Sequence, residues 1–303
     1  MTAMFMTKIK TAAMAALLAA CTLAGAQPAT TYLGPLQGEN HRQKGYAYQG
    51  MDAWGKTVVS LQNQGIATVY KRTEEGIAIL GQFHLGSFHP YNHANVASFG
   101  PWKGACSDPL PLLYVSHCHK KSIQGFKDAC FVERIHPDYQ GSTLVQTIVY
   151  DDLSGDFGYA LQWVVDRKRK RLIGYGNTVN NSDPSNRHRV IVFRLPKPSD
   201  GETVILKKED ALENYTIEAV SGYRFNPIGQ GLFIHNSQLY MPTGLGTAEH
   251  PSILYIWDLR AKKMREIPLG AVTTGELEDI SFTKGRVLLQ GQDGLWEIKA
   301  NAL

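Results

Sequence analysis

Helical periodicity is almost absent after residue 30 of this 303-residue chain. Apolar residues do not recur at the 3.6-residue spacing of an amphipathic helix, which points away from helical folds and toward an all-β one. Long apolar runs are scarce too. Beyond the amino-terminal segment no stretch is long and apolar enough to cross a bilayer as a helix. Several chemical signatures are missing. No Gly-x-Ser-x-Gly elbow supports nucleophilic catalysis. No phosphate loop supports nucleotide binding, and no Asp-x-Asp-x-Asp-Gly loop supports calcium. Cys-x-x-Cys and His-Glu-x-x-His are likewise absent. No cofactor is expected. Neither sign of charge is in marked excess. The formal charge is +4, and setting aside residues 1–26, which hold Lys8 and Lys10 and no acid, leaves +2. That is too little to suggest a nucleic-acid partner.

Hydrophobic residues make up 43% and charged residues 19%, the balance of a globular chain. The amino terminus reads as an export signal. Lys8 and Lys10 precede an apolar, alanine-rich stretch from Thr11 to Leu23, and Ala24-Gly25-Ala26 forms a small-x-small cleavage site. Leu18-Ala19-Ala20-Cys21 gives a competing reading, a bacterial lipobox whose cysteine carries acyl chains. Either reading takes the chain out of the cytoplasm, to the periplasm, cell surface or medium. Contact with a membrane is expected only through a lipid anchor at Cys21. Residues 27–303 then form a single domain. Of the other cysteines, Cys118 and Cys130 are the expected disulfide across a hairpin, with Cys106–Cys130 the alternative.

Short β-rich runs fill the rest of the chain, divided by Gly, Pro, Asn and Asp. Examples are Thr57–Leu61, Leu112–Ser116, Arg189–Phe193, Ser252–Trp257 and Arg286–Leu289. Lys208 to Asn214 is the one segment that reads as a helical turn. The basic run Arg167-Lys168-Arg169-Lys170-Arg171 reads as a solvated hairpin turn. The β-rich runs repeat. Units of strand, polar turn and strand open near residues 49, 93, 162, 230 and 278. The first four hold about four strands each and the last only three. Thr31-Tyr32-Leu33 supplies a missing fourth strand from the other end of the chain. One blade shared between the chain ends closes a ring and removes exposed sheet edges. The expected fold is a five-bladed β-propeller of four-stranded antiparallel blades, with six blades as the alternative. A β-sandwich does not predict the recurring unit or the incomplete last one.

With that repeat, the chain resembles a group of uncharacterised exported bacterial β-propeller proteins, many of them lipoproteins. The resemblance rests on Gln49-Gly50, on His93-Ala94-Asn95-Val96-Ala97-Ser98-Phe99-Gly100, on Pro111–Ser116 and on Cys130–Ile135. It implies the fold and export, and no particular reaction. Ile256-Trp257-Asp258-Leu259 also resembles the strand end of a WD repeat.

Residues at the unit starts should surround one mouth of a central channel. Gln49, Asp52, His93, Asn95, Gln162, Gln230, Glu278 and Asp279 are therefore the candidate ligand-binding ring, with Glu276 beside them. The same residue types also satisfy backbone groups where inner strands converge. Asp52, Asp156 and Glu278 are the candidate catalytic acids of a glycan-active enzyme, which needs two carboxyls a few ångströms apart. His84, His89, His93, His117 and His119 cluster in sequence. Of these, His89, His93, His117 and His119 are the candidate ligands if the protein is a metal-dependent hydrolase. His235 reads as a packed or surface residue. Trp54, Trp102, Trp163, Tyr91 and Phe99 suit either sugar stacking or packing between blades. The polar stretch from Gly176 to Arg187 reads as a binding loop. The leading expectation is a binding module for a glycan, peptide or protein partner.

Overall fold

The computed structural model describes residues 29–40, 43–118, 121–270 and 276–303. The export signal, Cys21 and His119 lie outside the described residues. Five sheets follow one another round a channel. The first described strand, β1 (Thr30–Gly34), belongs to the last of them. Blade one is β2 (Tyr48–Trp54), β3 (Thr57–Gln62), β4 (Ile66–Arg72) and β5 (Ile77–His84). Blade two is β6 (Val96–Phe99), β7 (Leu113–Ser116), β8 (Cys130–Ile135) and β9 (Ser142–Tyr150).

Blade three opens with β10 (Ala160–Asp166), β11 (Arg171–Asn177) and β12 (His188–Arg194). The chain then makes an excursion. β13 (Thr203–Leu206) crosses to the outer edge of blade two and pairs parallel with β9. Only then does β14 (Glu213–Thr216) return to finish blade three, followed by the short helix α1 (Ile217–Ser221). Blade four is β15 (Phe233–His235), β16 (Gln238–Thr243), β17 (Ile253–Asp258) and β18 (Lys263–Pro268). Blade five is β19 (Leu277–Thr283), β20 (Arg286–Gly291) and β21 (Gly294–Lys299), closed by β1 on β21.

The five-bladed ring and its closing strand are as expected. The helical turn expected over Lys208–Asn214 is not. Lys208–Asp210 is a single 3-10 turn, and Asn214 already pairs with Ile191 in β14. Pairing with the exposed edge of β12 outweighs the weak local preference.

The core is five wedges, one between each pair of neighbouring blades. Trp163 fills the wedge between blades two and three, and its Nε1–H donates to the Asp128 carbonyl at 2.6 Å. Trp257 fills the next wedge and donates to the Tyr215 hydroxyl at 3.1 Å. Phe99 is buried between blades one and two, whereas Trp54 and Tyr91 remain exposed.

Each inner strand has one edge in its own sheet and one facing the channel. The channel-facing N–H groups need acceptors, because an unpaired buried amide is costly. Neighbouring blades supply them. Asp52 of blade one accepts the Phe99 N–H of blade two at 2.6 Å. Ser98 and Ser116 of blade two accept the Val165 and Trp163 N–H groups of blade three, both at 3.1 Å. Gln162 of blade three donates through Nε2 to the Gln230 carbonyl beside blade four at 2.8 Å. Asp279 of blade five accepts Leu232 N–H at 3.2 Å and Met51 N–H at 2.7 Å. Every junction of the ring is clasped.

The Gln-Gly pairs belong to this clasp. Gln49-Gly50 is an irregularity in the β2–β3 register, between Tyr48 and Met51. Its Gly50 N–H donates to the Ala94 carbonyl at 2.9 Å. A Cβ on Gly50 would stand 2.6 Å from the backbone carbon of Val96, and one on Gly231 would stand 2.1 Å from Asp279 Oδ1. Glycine is what lets the inner strands approach. Gly50→Ala should therefore cost about 1–3 kcal/mol, as overpacking against backbone does. A lowered urea midpoint measures this, and an unchanged midpoint would show that the strands separate freely.

Candidate functional site

The inner strands start at one mouth of the channel, here called the upper mouth. A cavity of about 470 Å³ opens there, within the size range of small-molecule sites. Gln49 reaches it from the start of β2, and His93 and Asn95 from the segment leading into β6. Tyr159 and Gln162 come from the start of β10, and Gln230 from the approach to β15. Five of the expected ring residues thus converge: Gln49, His93, Asn95, Gln162 and Gln230.

Among the described residues blade five does not contribute. Glu278, Asp279 and Asp52 are buried and do not line this cavity. The cavity leans instead toward blade three. Tyr175 and Asn177 at the end of β11, Asn181 in the following loop and His188 at the start of β12 complete its wall.

His188 carries the most organised geometry. Its Nδ1 lies 2.7 Å from Glu218 Oε1, and its backbone N–H donates to both Glu218 oxygens at 3.1 and 3.0 Å. Glu218 stands on α1, immediately after β14, so the return of the chain to blade three places the carboxylate behind the ring. Phe225 packs on the imidazole at 4.2 Å between centroids, and Tyr175 stacks at 6.0 Å. On a neutral imidazole whose Nδ1 proton is directed at Glu218, Nε2 is an acceptor. Nε2 is buried and has no partner among the described residues.

Two further wall residues share that condition. Asn95 accepts the Cys118 N–H through Oδ1 at 3.2 Å, yet its Nδ2 is buried without an acceptor. Gln162 donates to Gln230, yet its Oε1 is buried without a donor. The three residues line a single cavity, with one donor and, on a neutral imidazole, two acceptors unmet. Among the described residues no Asp, Glu, Lys or Arg lines it. Burial, then the Glu218 and Tyr255 charges, push the Tyr175 phenol upward, so it is a neutral hydroxyl.

The candidate acids do not assemble. Asp156 lies between blades two and three in a network with Tyr150, Asn214, Arg189 and Lys208, its Lys208 bridge being 3.0 Å. Asp52 is fully buried and accepts Phe99 N–H, Ala53 N–H and the Ser281 hydroxyl, each at 2.6 Å. Burial pushes its carboxyl upward against the opposing pull of Arg167 and these donors. Asp279 is raised well above the carboxylate range by burial, with Asp52 adding to the effect. Both acids hold strands together. Glu278 accepts Gln292 Nε2–H at 2.6 Å, and Gln292 also brackets the Tyr48 backbone.

The described candidate histidines do not assemble either. His117 is buried, with Nδ1 accepting the His93 N–H at 3.3 Å and Nε2 facing the Lys121 carbonyl at 2.9 Å. His89 Nδ1 accepts Tyr91 N–H at 3.1 Å, and His84 pairs with Glu39 at 3.0 Å. His93 faces the Cys118 carbonyl through Nδ1 at 3.0 Å. Among the described residues no group of three His, Cys, Asp or Glu side chains is placed to hold a metal. The expected Cys118–Cys130 bridge is also not formed, nor is Cys106–Cys130. Cys130 pairs in register with Ser116, so Cys118 lies two residues beyond its partner. Cys130 faces the wedge between blades two and three, whereas Cys118 lines the cavity. Burial pushes the Cys118 thiol up, aided by Asp128, which leaves a poor nucleophile.

No family model matches the chain, and no curated protein matches it. Solved structures share the fold. The tail fibre of Staphylococcus aureus phage P68 is similar at 13% identity and a TM-score of 0.51, over 90% of this chain. The chain spans 53% of that tail fibre chain. A glucose dehydrogenase is similar at 10% identity and a TM-score of 0.48, over 90% of this chain and all of the other.

Glu278 makes the fold sensitive to pH. Its carboxyl is pushed up from 4.5 to about 8 by burial, with Gln292 opposing and Glu276 reinforcing the shift. Between those values the folded chain holds a proton that the unfolded chain has released. Stability therefore falls as pH rises through that window. Asp52 and Asp279 act with the same sign. Glu278→Gln should flatten part of the fall, on the order of a few kcal/mol. Urea midpoints from pH 5 to 8.5 measure it, and parallel curves for both chains would remove Glu278 as a cause.

Proposed function

We propose that this propeller is a binding module that works outside the cytoplasm and takes a neutral, hydroxyl-rich ligand, a saccharide, at its upper mouth. The observation that carries this reading is that three residues lining one cavity, which no charged residue among those described lines, each hold a buried polar atom unpaired among the described residues: His188 Nε2, Asn95 Nδ2 and Gln162 Oε1. Buried polar atoms are nearly always paired in folded proteins, so three orphans on one wall call for a ligand. A sugar hydroxyl both donates and accepts, and it meets this donor and these acceptors without bringing a net charge. An anion or cation would find no counter-charge among the described residues of the wall. The tyrosines supply apolar surface for a sugar ring. Export, by cleavage after Ala26 or by lipidation of Cys21, accords with a glycan ligand. The presence of a phage tail fibre among chains of this fold accords with a surface-binding role.

A second reading has one observation in its favour. The Glu218–His188 pair has the arrangement of an oriented proton acceptor, and such a group serves a glycan-active enzyme as a base. Turnover of a sugar that binds decides between the two.

The test is calorimetric titration of the full chain with a panel of neutral oligosaccharides. At least one should bind, and His188→Gln should weaken it roughly tenfold, the usual cost of one directed hydrogen bond with an unpaired partner. Asn181→Ala, in a loop that leaves the core untouched, should weaken it less. If no neutral sugar binds, or if His188→Gln binds like the parent, the saccharide reading fails.

A further inference from the structure

The opposite end of the channel, where the inner strands finish, has a different character. Arg167 and Lys168 reach it from the β10–β11 turn, His235 from the end of β15 and Lys284 from the turn after β19. Trp54 and Phe282 give it an aromatic wall. A cavity of about 420 Å³ lies on one side of Arg167 and His235, and another of about 280 Å³ on the other.

The basic run that reads as a solvated turn is not uniform. Arg169 pairs with Asp166 at 3.1 Å, and Arg171 lies 3.6 Å from Glu213. Arg167 makes neither kind of contact. Its guanidinium sits 5.1 Å from the centroid of the Trp54 ring, and its Nη1 is buried without an acceptor among the described residues. The neighbouring carboxylate, Asp52, has its oxygens engaged by Phe99, Ala53 and Ser281. A buried guanidinium N–H without an acceptor is expensive, more so than a neutral one. Lys168 and Lys284 add positive charge. Asp166, the other acid beside these cavities, is already held by Arg169.

We infer that this lower mouth is a second binding site, and that its ligand is an acidic sugar whose carboxylate pairs with Arg167 while its ring lies on the aromatic wall. A guanidinium presents parallel N–H groups that match the two oxygens of a carboxylate. Trp54 is partly exposed beside it, and His235 stacks on Phe282 at 4.6 Å between centroids, forming a flat surface. His235 is held below its ordinary value by burial and then by the charges of Arg167 and Lys168. An anion seated on those cations would offset their repulsion and raise it.

The experiment is calorimetric titration of the full chain with sodium glucuronate, glucose and inorganic sulfate, beside proton NMR titration of His235. Glucuronate should bind, glucose should not compete with it, and raising salt from 50 to 300 mM, as trial concentrations of roughly that order, should weaken binding. Arg167→Met should weaken glucuronate at least tenfold. Lys284→Asn, at an exposed turn, should weaken it by a smaller factor and guards against misfolding of the first variant. The His235 titration should move upward when glucuronate is bound. His188→Gln should leave glucuronate binding unchanged, which separates this site from the upper mouth. Absence of glucuronate binding, or equal binding by Arg167→Met, would overturn the inference. Binding of sulfate alone would overturn the acidic-sugar assignment.

Discussion

The unpaired edge of each inner strand is the constraint on which this ring depends. A four-stranded blade satisfies its internal ladders, but its innermost strand leaves a row of amides facing the channel. Water is scarce where five strands converge, so each row must find acceptors in the neighbouring blade. Asp52, Ser98, Ser116, Asp279 and Ser281 meet that need, and Gln162 meets it by donating to a carbonyl. These residues are short or carry two acceptor oxygens, and glycine at Gly50 and Gly231 makes the necessary room. The carboxylates resist ionisation in that setting because burial outweighs the donors around them.

Function follows from where the clasp stops. At the upper mouth one polar atom on each of His188, Asn95 and Gln162 is left unpaired among the described residues. At the lower mouth the leftover group is a cation. The two ends of one channel therefore differ in charge and in hydrogen-bonding character. The upper end presents amides and imidazoles, and the lower end presents a guanidinium, lysines and aromatic faces.

Much of this was legible in the amino-acid order. Unit starts near residues 49, 93, 162, 230 and 278 fall close to the starts of the five inner strands, and Thr31-Tyr32-Leu33 lies within the closing strand. A period of strand, turn and strand is a local pattern, and local patterns survive in sequence. The loan of β13 to blade two was not legible, because pairing across blades leaves no spacing rule. Burial was the harder gap. Gln49 and Asp279 both sit at unit starts and are both polar, yet one lines a cavity and the other is sealed in the clasp. His188 lies between two arginines, which suggests a solvated strand end, and Glu218 follows it thirty residues later. Arg167 was hidden among four other bases whose charge suggests only solvation.

The closing strand has a geometric consequence. β1 is the outermost member of blade five, hydrogen-bonded on one side to β21 and open on the other. Thr30, where β1 begins, thus stands at the rim of the ring and not at its hub. A tether attached there would hold the ring by its circumference, like a wheel hung from its tyre. Both axial openings would then stay clear of the anchoring surface, and ligands could approach either end without displacing the attachment.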